Sequence, residues 1–134
     1  MKLMCSDFKK MALERLRDAQ TLFDACRYAG AYYLMGYVIE YALKAIIAKQ
    51  TRRHEFPNKK RVEKSWSHDI PTLIKTAGLK DKANKQTRTF LATVNMWNSE
   101  ARYKPTVSRK ETEQLFVAVK HPSDGVLAWL KTYW

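Results

Sequence analysis

Glu40 and Lys44 are the only charges in YAGAYYLMGYVIEYALKAIIA, residues 28–48. On a helix, residues four apart share a face, and a Glu N-terminal to its Lys is the favourable order. Two charges on an apolar helix need a reason, because burial is costly unless they are paired and hydrogen-bonded. Two readings stay open: an ion pair that holds the register of a buried helix, or the polar floor of a groove. Tyr32, Tyr33, Tyr37 and Tyr41 add bulk and hydroxyls to the same stretch,. His68, between Trp66 and Asp69, opens a further helix. It reads either as a capping or surface histidine or as a site residue where a basic stretch meets the body of the protein. Arg102–Tyr103 offers a cation for phosphate and a ring for a base. Tyr103 reads equally as a core aromatic with its hydroxyl at the surface.

Other chemistry has no motif here. The chain holds no Gly-rich phosphate loop, HExxH, CxxC or GxSxG,. The spacing of His54, His68 and His121 is unlike any metal-ligand pattern,. No metal or cofactor is therefore expected. Cys5 and Cys26 fall near the two ends of one expected helix, about 31 Å apart and beyond disulfide reach. They read as free thiols in a reducing, cytoplasmic compartment, with Cys26 packed in the core.

The charge balance narrows the partners. The 134 residues carry 25 Lys and Arg against 13 Asp and Glu, a net charge of +12. The excess concentrates in residues 49–67, where Lys49, Arg52, Arg53, Lys59, Lys60, Arg61 and Lys64 face only Glu55 and Glu63. An anionic partner such as nucleic acid or a nucleotide fits that excess. This stretch lacks apolar periodicity and contains Pro57–Asn58, so it reads as a long basic loop of functional significance,.

These residues need elements to position them. The composition, 46% hydrophobic with four Gly and four Pro, predicts one globular, helix-rich domain over residues 1–134,. Phe8, Ala12, Leu16, Ala19, Phe23 and Cys26 form one stripe, predicting a helix from about residue 6 to 28, with Gly30 as its break or as a tight crossing,. Residues 31–49 give a second, central helix. That segment is long enough to span a bilayer, but each mid-segment charge costs about 3 kcal/mol there, so a soluble protein is expected. The N-terminus lacks the apolar run of a signal peptide. Ser67 or Asp69 caps a short third helix with Pro71 in its first turn and Gly78 at its end,. A fourth helix spans residues 81–99. Ser108 and Glu111 form a capping box that opens a fifth, which Pro122 breaks or kinks,. The expected fold is an all-α, up-and-down bundle of four to five helices around a central apolar helix.

The run Gly30 to Leu34, then Gly36–Tyr37, Glu40 and Leu43 to Ala45, closely resembles the second-helix signature of the HEPN (higher eukaryotes and prokaryotes nucleotide-binding) family. SHDIPTLIKTAG, residues 67–78, is similar to the family's His-led third helix. WNSEARY, residues 97–103, is similar to its Arg-Tyr element before the last helix. The resemblance covers most of the chain in order. It implies a compact helical bundle that forms a homodimer and works around nucleotides or RNA. It also implies a nucleotidyltransferase partner in a toxin–antitoxin or defence setting. Some relatives are metal-independent ribonucleases with an Arg-x(4–6)-His motif from both subunits, and Arg61 and His68 have that spacing.

Three functions follow as expectations. The leading one is a nucleotide- or RNA-binding module whose site is lined by Tyr33, Glu40, Lys44, His68, Arg102 and Tyr103. Arg52, Arg53, Lys59, Lys60, Arg61 and Lys64 supply its electrostatic surface, with Lys80, Lys82, Lys85 and Arg88 beyond. The second is a metal-independent ribonuclease with His68 and Arg61 as catalytic residues. It ranks second because Val62 follows Arg61, where the nucleases favour a polar residue, and because their motif lies in a later helix. The third is a non-catalytic protein-interaction module that meets an acidic partner.

Overall fold

The structure, a computed structural model, describes residues 3–53, 59–98, 101 and 103–134, without the side chains of residues 52, 53 and 59–61. Those residues form α1 (Cys5–Asp24), α2 (Tyr28–Arg53), α3 (Lys59–Ser65), α4 (Ile70–Thr76), α5 (Lys85–Asn95), α6 (Arg109–Lys120) and α7 (Val126–Lys131). The expected all-α bundle is present, with no strand among the described residues. Its long members are α1, α2, α5 and α6.

The centre is α2, packed against α1, α4, α6 and α7. Met35, Val38, Ile39, Ala42, Leu43, Ala45, Ile46 and Ile47 are all buried, which accounts for a segment apolar almost all round,. Fully buried Ala12 and Ala19 let α1 lie close along it,. No helix among the described residues is long and apolar enough to cross a membrane.

Several expected boundaries move. The break between α1 and α2 falls at residues 25–27, not at Gly30, which lies inside α2. Cys26 has φ 59, a left-handed conformation uncommon outside glycine,. Cys26 N donates to Phe23 O at 2.9 Å and Arg27 N to Leu22 O at 2.8 Å, closing the last turn of α1,. Cys26 is therefore an exposed turn residue rather than a core one, and both cysteines are free thiols. The described residues of the basic stretch are largely helical. Residues 49–53 extend α2, and α3 forms beyond. Lys, Arg and Gln are good helix formers, and a helix with little buried surface shows no apolar stripe. Pro57–Asn58 lies outside the described residues. The fourth expected helix starts later, at Lys85, because Asp81 sits at φ 66 and Asn84 Oδ1 accepts from Thr87 N at 2.8 Å as its cap.

Gly36 is required by a close approach. A Cβ built there would lie 1.8 Å from Cε2 of Trp97, whose indole, 3% exposed, lies flat against the α2 backbone. Substituting Ala for Gly inside a helix ordinarily gains up to about 1 kcal/mol. Here the clash reverses the sign, so Gly36→Ala should lower the unfolding free energy in a urea titration by about 2 kcal/mol. A stabilised Gly36→Ala protein would show that Trp97 is free to move aside.

Residues 103–107 are tied down by charge. Lys104 Nζ donates to Glu111 Oε2 at 2.6 Å, and Ser108 Oγ accepts from Glu111 N at 3.0 Å to cap α6. Lys104 foremost, then the Ser108 backbone, holds the Glu111 carboxyl below its ordinary value of 4.5. A lowered folded-state value stabilises above the unfolded one and is lost as pH falls through the folded one. The melting temperatures of wild type and Glu111→Gln should therefore differ above pH 4.5 and converge as the solution is acidified below it.

Candidate functional site

Tyr33, Tyr37, Glu40, Tyr41 and Lys44 recur at three- and four-residue steps, so α2 presents them along one strip,. Tyr33 donates its hydroxyl hydrogen to the Tyr37 hydroxyl at 3.3 Å. The two rings meet edge to face at 5.1 Å, and Tyr37 meets Trp97 at the same distance. Tyr37 and Tyr41 rings follow at 5.7 Å. Below them Glu40 is 1% exposed. Lys44 Nζ donates to Glu40 Oε2 at 3.1 Å, so the pair read from the spacing forms.

His68 reaches the same oxygen from another element. Its Nδ1 lies 3.0 Å from Glu40 Oε2. Facing a carboxylate oxygen, Nδ1 serves as the donor in the tautomer that keeps its hydrogen there, and Nε2 is the ring's other position,. The turn 67–69 aims the ring. Ser67 Oγ accepts from Asp69 N at 3.0 Å. Asp69 Oδ2 then accepts from Thr72 N at 3.1 Å and from Thr72 Oγ1 at 2.6 Å. Asp69 is thus the cap of α4, with Pro71 in the first turn, and His68 is not. Ile70, Leu73 and Ile74 bury α4 against the bundle, which fixes the turn before it. The His68 side chain remains 59% exposed while Glu40 is almost dry.

The strip is electrostatically polarised. Burial foremost, then the hydrogen bond and charge of Tyr33 and the charge of Glu40, raise the Tyr37 hydroxyl well above the ordinary phenol range. Burial and then Glu40 raise Tyr41 as well, with Arg15 of α1 pulling the other way. Glu40 Oε1 is buried and has no hydrogen-bond partner among the described residues. An imidazole fixed by a carboxylate on one nitrogen and open to solvent on the other side can bind an anion or move a proton.

Not every expected residue joins this cluster. Tyr33 connects to it through Tyr37. Tyr103 is 71% exposed, not a core aromatic. It lines a separate open depression of about 380 Å³ with Tyr32, Met96, Asn98, Ala101 and Lys104. Arg102 lies outside the described residues, as do the side chains of Arg52, Arg53, Lys59, Lys60 and Arg61, so the Arg61–His68 pairing has no described geometry. Lys64 is exposed on α3, and Lys80, Lys82, Lys85 and Arg88 are exposed around the start of α5. No group of three or more His, Cys, Asp and Glu that could hold a metal occurs among the described residues. The residue that sequence reasoning passed over is Trp66, 74% exposed two positions before His68. Its signal was a tryptophan outside every apolar stripe.

Removing one member of a buried ion pair strands the other. Lys44→Met should therefore lower the unfolding free energy by about 3 kcal/mol. Glu40→Met/Lys44→Met together should recover most of that loss, since well-packed apolar groups replace such pairs at little cost. A double variant as unstable as the single, in denaturant titrations of both, would mean that the pair itself holds the helix in register.

Comparison with protein-family models matches the HEPN domain over residues 5–121. No curated protein and no solved structure matches the chain. The matched residues run from the start of α1 to the end of α6 and contain the whole Glu40–Lys44–His68 cluster. This chain belongs to the HEPN domain family.

Proposed function

We propose that this protein is a nucleotide- or RNA-binding HEPN module whose polar centre is Glu40, Lys44 and His68. One observation carries the reading: a carboxylate 1% exposed on the central helix fixes an imidazole that is 59% exposed. A purely structural pair has no need of a third, solvent-facing member. His68 is the residue that meets the ligand, Glu40 its positioning residue, and Lys44 the cation paired with Glu40. The basic residues of 49–64 draw a polyanion toward that imidazole. Tyr33 supports the strip through Tyr37, and Arg102–Tyr103 supplies a second contact along the ligand. A homodimer, a nucleotidyltransferase partner and a toxin–antitoxin or defence setting complete the reading, and their support is family membership alone.

The second reading is a metal-independent ribonuclease. The orientation of His68 by Glu40 favours it, since an imidazole held on one nitrogen is the usual form of a general acid–base residue. In that reaction the 2′-hydroxyl attacks the adjacent phosphorus and the bond to the 5′-oxygen breaks. His68 takes or gives the proton, and Arg61 or Arg102 faces the charge that develops on phosphate.

End-labelled RNA incubated with the purified protein without added metal separates the two. The binding reading expects a saturable complex at physiological salt, intact RNA, and weaker binding by a His68→Ala protein that stays folded, with a lowered melting temperature because Glu40 loses a donor,. RNA cut by wild type and left whole by His68→Ala would replace it with the ribonuclease. Binding that fades steeply with salt and never saturates would leave only nonspecific charge attraction.

A further inference from the structure

A single exposed apolar side chain is ordinary on a protein surface. Trp66 is set apart by what surrounds it. It is 74% exposed, while Val62, one turn earlier on α3, is 40% exposed. Its backbone is fixed, with Trp66 N donating to Glu63 O at 3.2 Å and Ser67 N to Lys64 O at 3.1 Å. Exposed Lys64 precedes it by two residues and His68 follows it by two. Two residues of chain span at most about 7 Å, so the indole and the imidazole held by Glu40 sit within reach of neighbouring groups on one ligand.

An aromatic face flanked by a lysine and an imidazole, on a chain of net charge +12, complements a polyanion that also carries exposed rings,. A second copy of this chain would bring like charges together. The apolar area of Val62 and Trp66 is also far below that of a stable protein interface. The geometry points to Trp66 as a stacking platform for an unpaired base of single-stranded RNA, with Lys64 and His68 on the flanking phosphates. This inference rests on the nucleotide- or RNA-binding reading above and adds strandedness and a residue to it. Bases inside a duplex have their faces covered by their neighbours, so the platform selects against paired RNA.

The test is fluorescence anisotropy with a labelled oligouridylate of about ten nucleotides and the same strand annealed to oligoadenylate. Wild type, Trp66→Ala, Trp66→Phe and Lys64→Ala are titrated at several salt concentrations, with gel filtration and melting controls. Wild type should prefer the single strand. Trp66→Ala should bind it about tenfold more weakly, with the salt slope unchanged, because stacking releases no counterions. Trp66→Phe should retain binding within about threefold, as a smaller ring still stacks. Lys64→Ala should instead reduce the slope by about 0.7, the loss of one phosphate contact on a single strand. Trp66→Ala binding as tightly as wild type overturns the inference while the binding reading stands. Equal loss on single strand and duplex also overturns it. So does a drop in oligomeric state with RNA affinity intact, which would make the patch a self-contact. If wild type binds neither RNA, the RNA half of the underlying reading fails and the inference with it, leaving a nucleotide site.

Discussion

A carboxylate out of water on the most enclosed helix of a protein sets a problem that the neighbouring elements have to solve. Glu40 sits at 1% exposure, and its own helix offers only Lys44. The remaining donor comes from His68, 28 residues away in the chain. That contact requires the turn after α3 to lie across α2. The turn is held there by the apolar face of α4 and by Gln50 Nε2, which donates to Ala77 O at 2.8 Å at the far end of that helix. The apolar burial of α4 thus delivers His68 to Oε2, the oxygen that Lys44 already reaches, while Oε1 keeps no partner among the described residues. The same constraint makes the site: the group that satisfies Glu40 is also the one that stays in solvent.

A second constraint acts one turn earlier on α2. Gly36 lets Trp97 approach the backbone, and Tyr37 packs its edge against that indole. Tyr37 in turn takes the hydroxyl of Tyr33 and sits in the field of Glu40. The segment after α5 and the turn before α4 are therefore coupled through a single strip of α2, although they belong to different parts of the bundle. The start of α5 is anchored separately, where Thr87 Oγ1 donates to Asp124 O at 2.9 Å in the turn between α6 and α7.

Much of this was legible in the sequence where a side chain's partners are local. The stripe of α1, the caps at Asp69 and Ser108, and the Glu40–Lys44 pair all depend on residues three or four apart. The signature around Gly30 to Ala45 carried the family. What was hidden follows two rules. A helix with little buried surface writes no periodicity, so residues 49–53 and α3 read as loop. A contact between distant segments writes nothing at all, so Glu40–His68 was not visible although both residues were singled out. Cys26 shows a third case: it continued the spacing of the α1 stripe, but the chain had already turned through a left-handed residue. Tyr103 was open to either reading, and Trp66 was passed over, because an aromatic outside a stripe carries no mark of whether it is covered.

The positions of Trp66 and Trp97 also give the molecule internal optical reporters. The Trp97 indole lies in a dry, apolar environment against Gly36, and Trp66 stands in water. An indole emits at longer wavelength in a polar, relaxing solvent than in a rigid apolar one. Trp66 thus contributes to the red side of the emission band and Trp97 to the blue side, with half-buried Trp129 and Trp134 emitting beside them. The tyrosine ladder ends on Trp97, with each step between 5.1 and 5.7 Å. Tyr37 is therefore in range to hand absorbed light to that indole, so the strip on the central helix carries a reporter of its own packing.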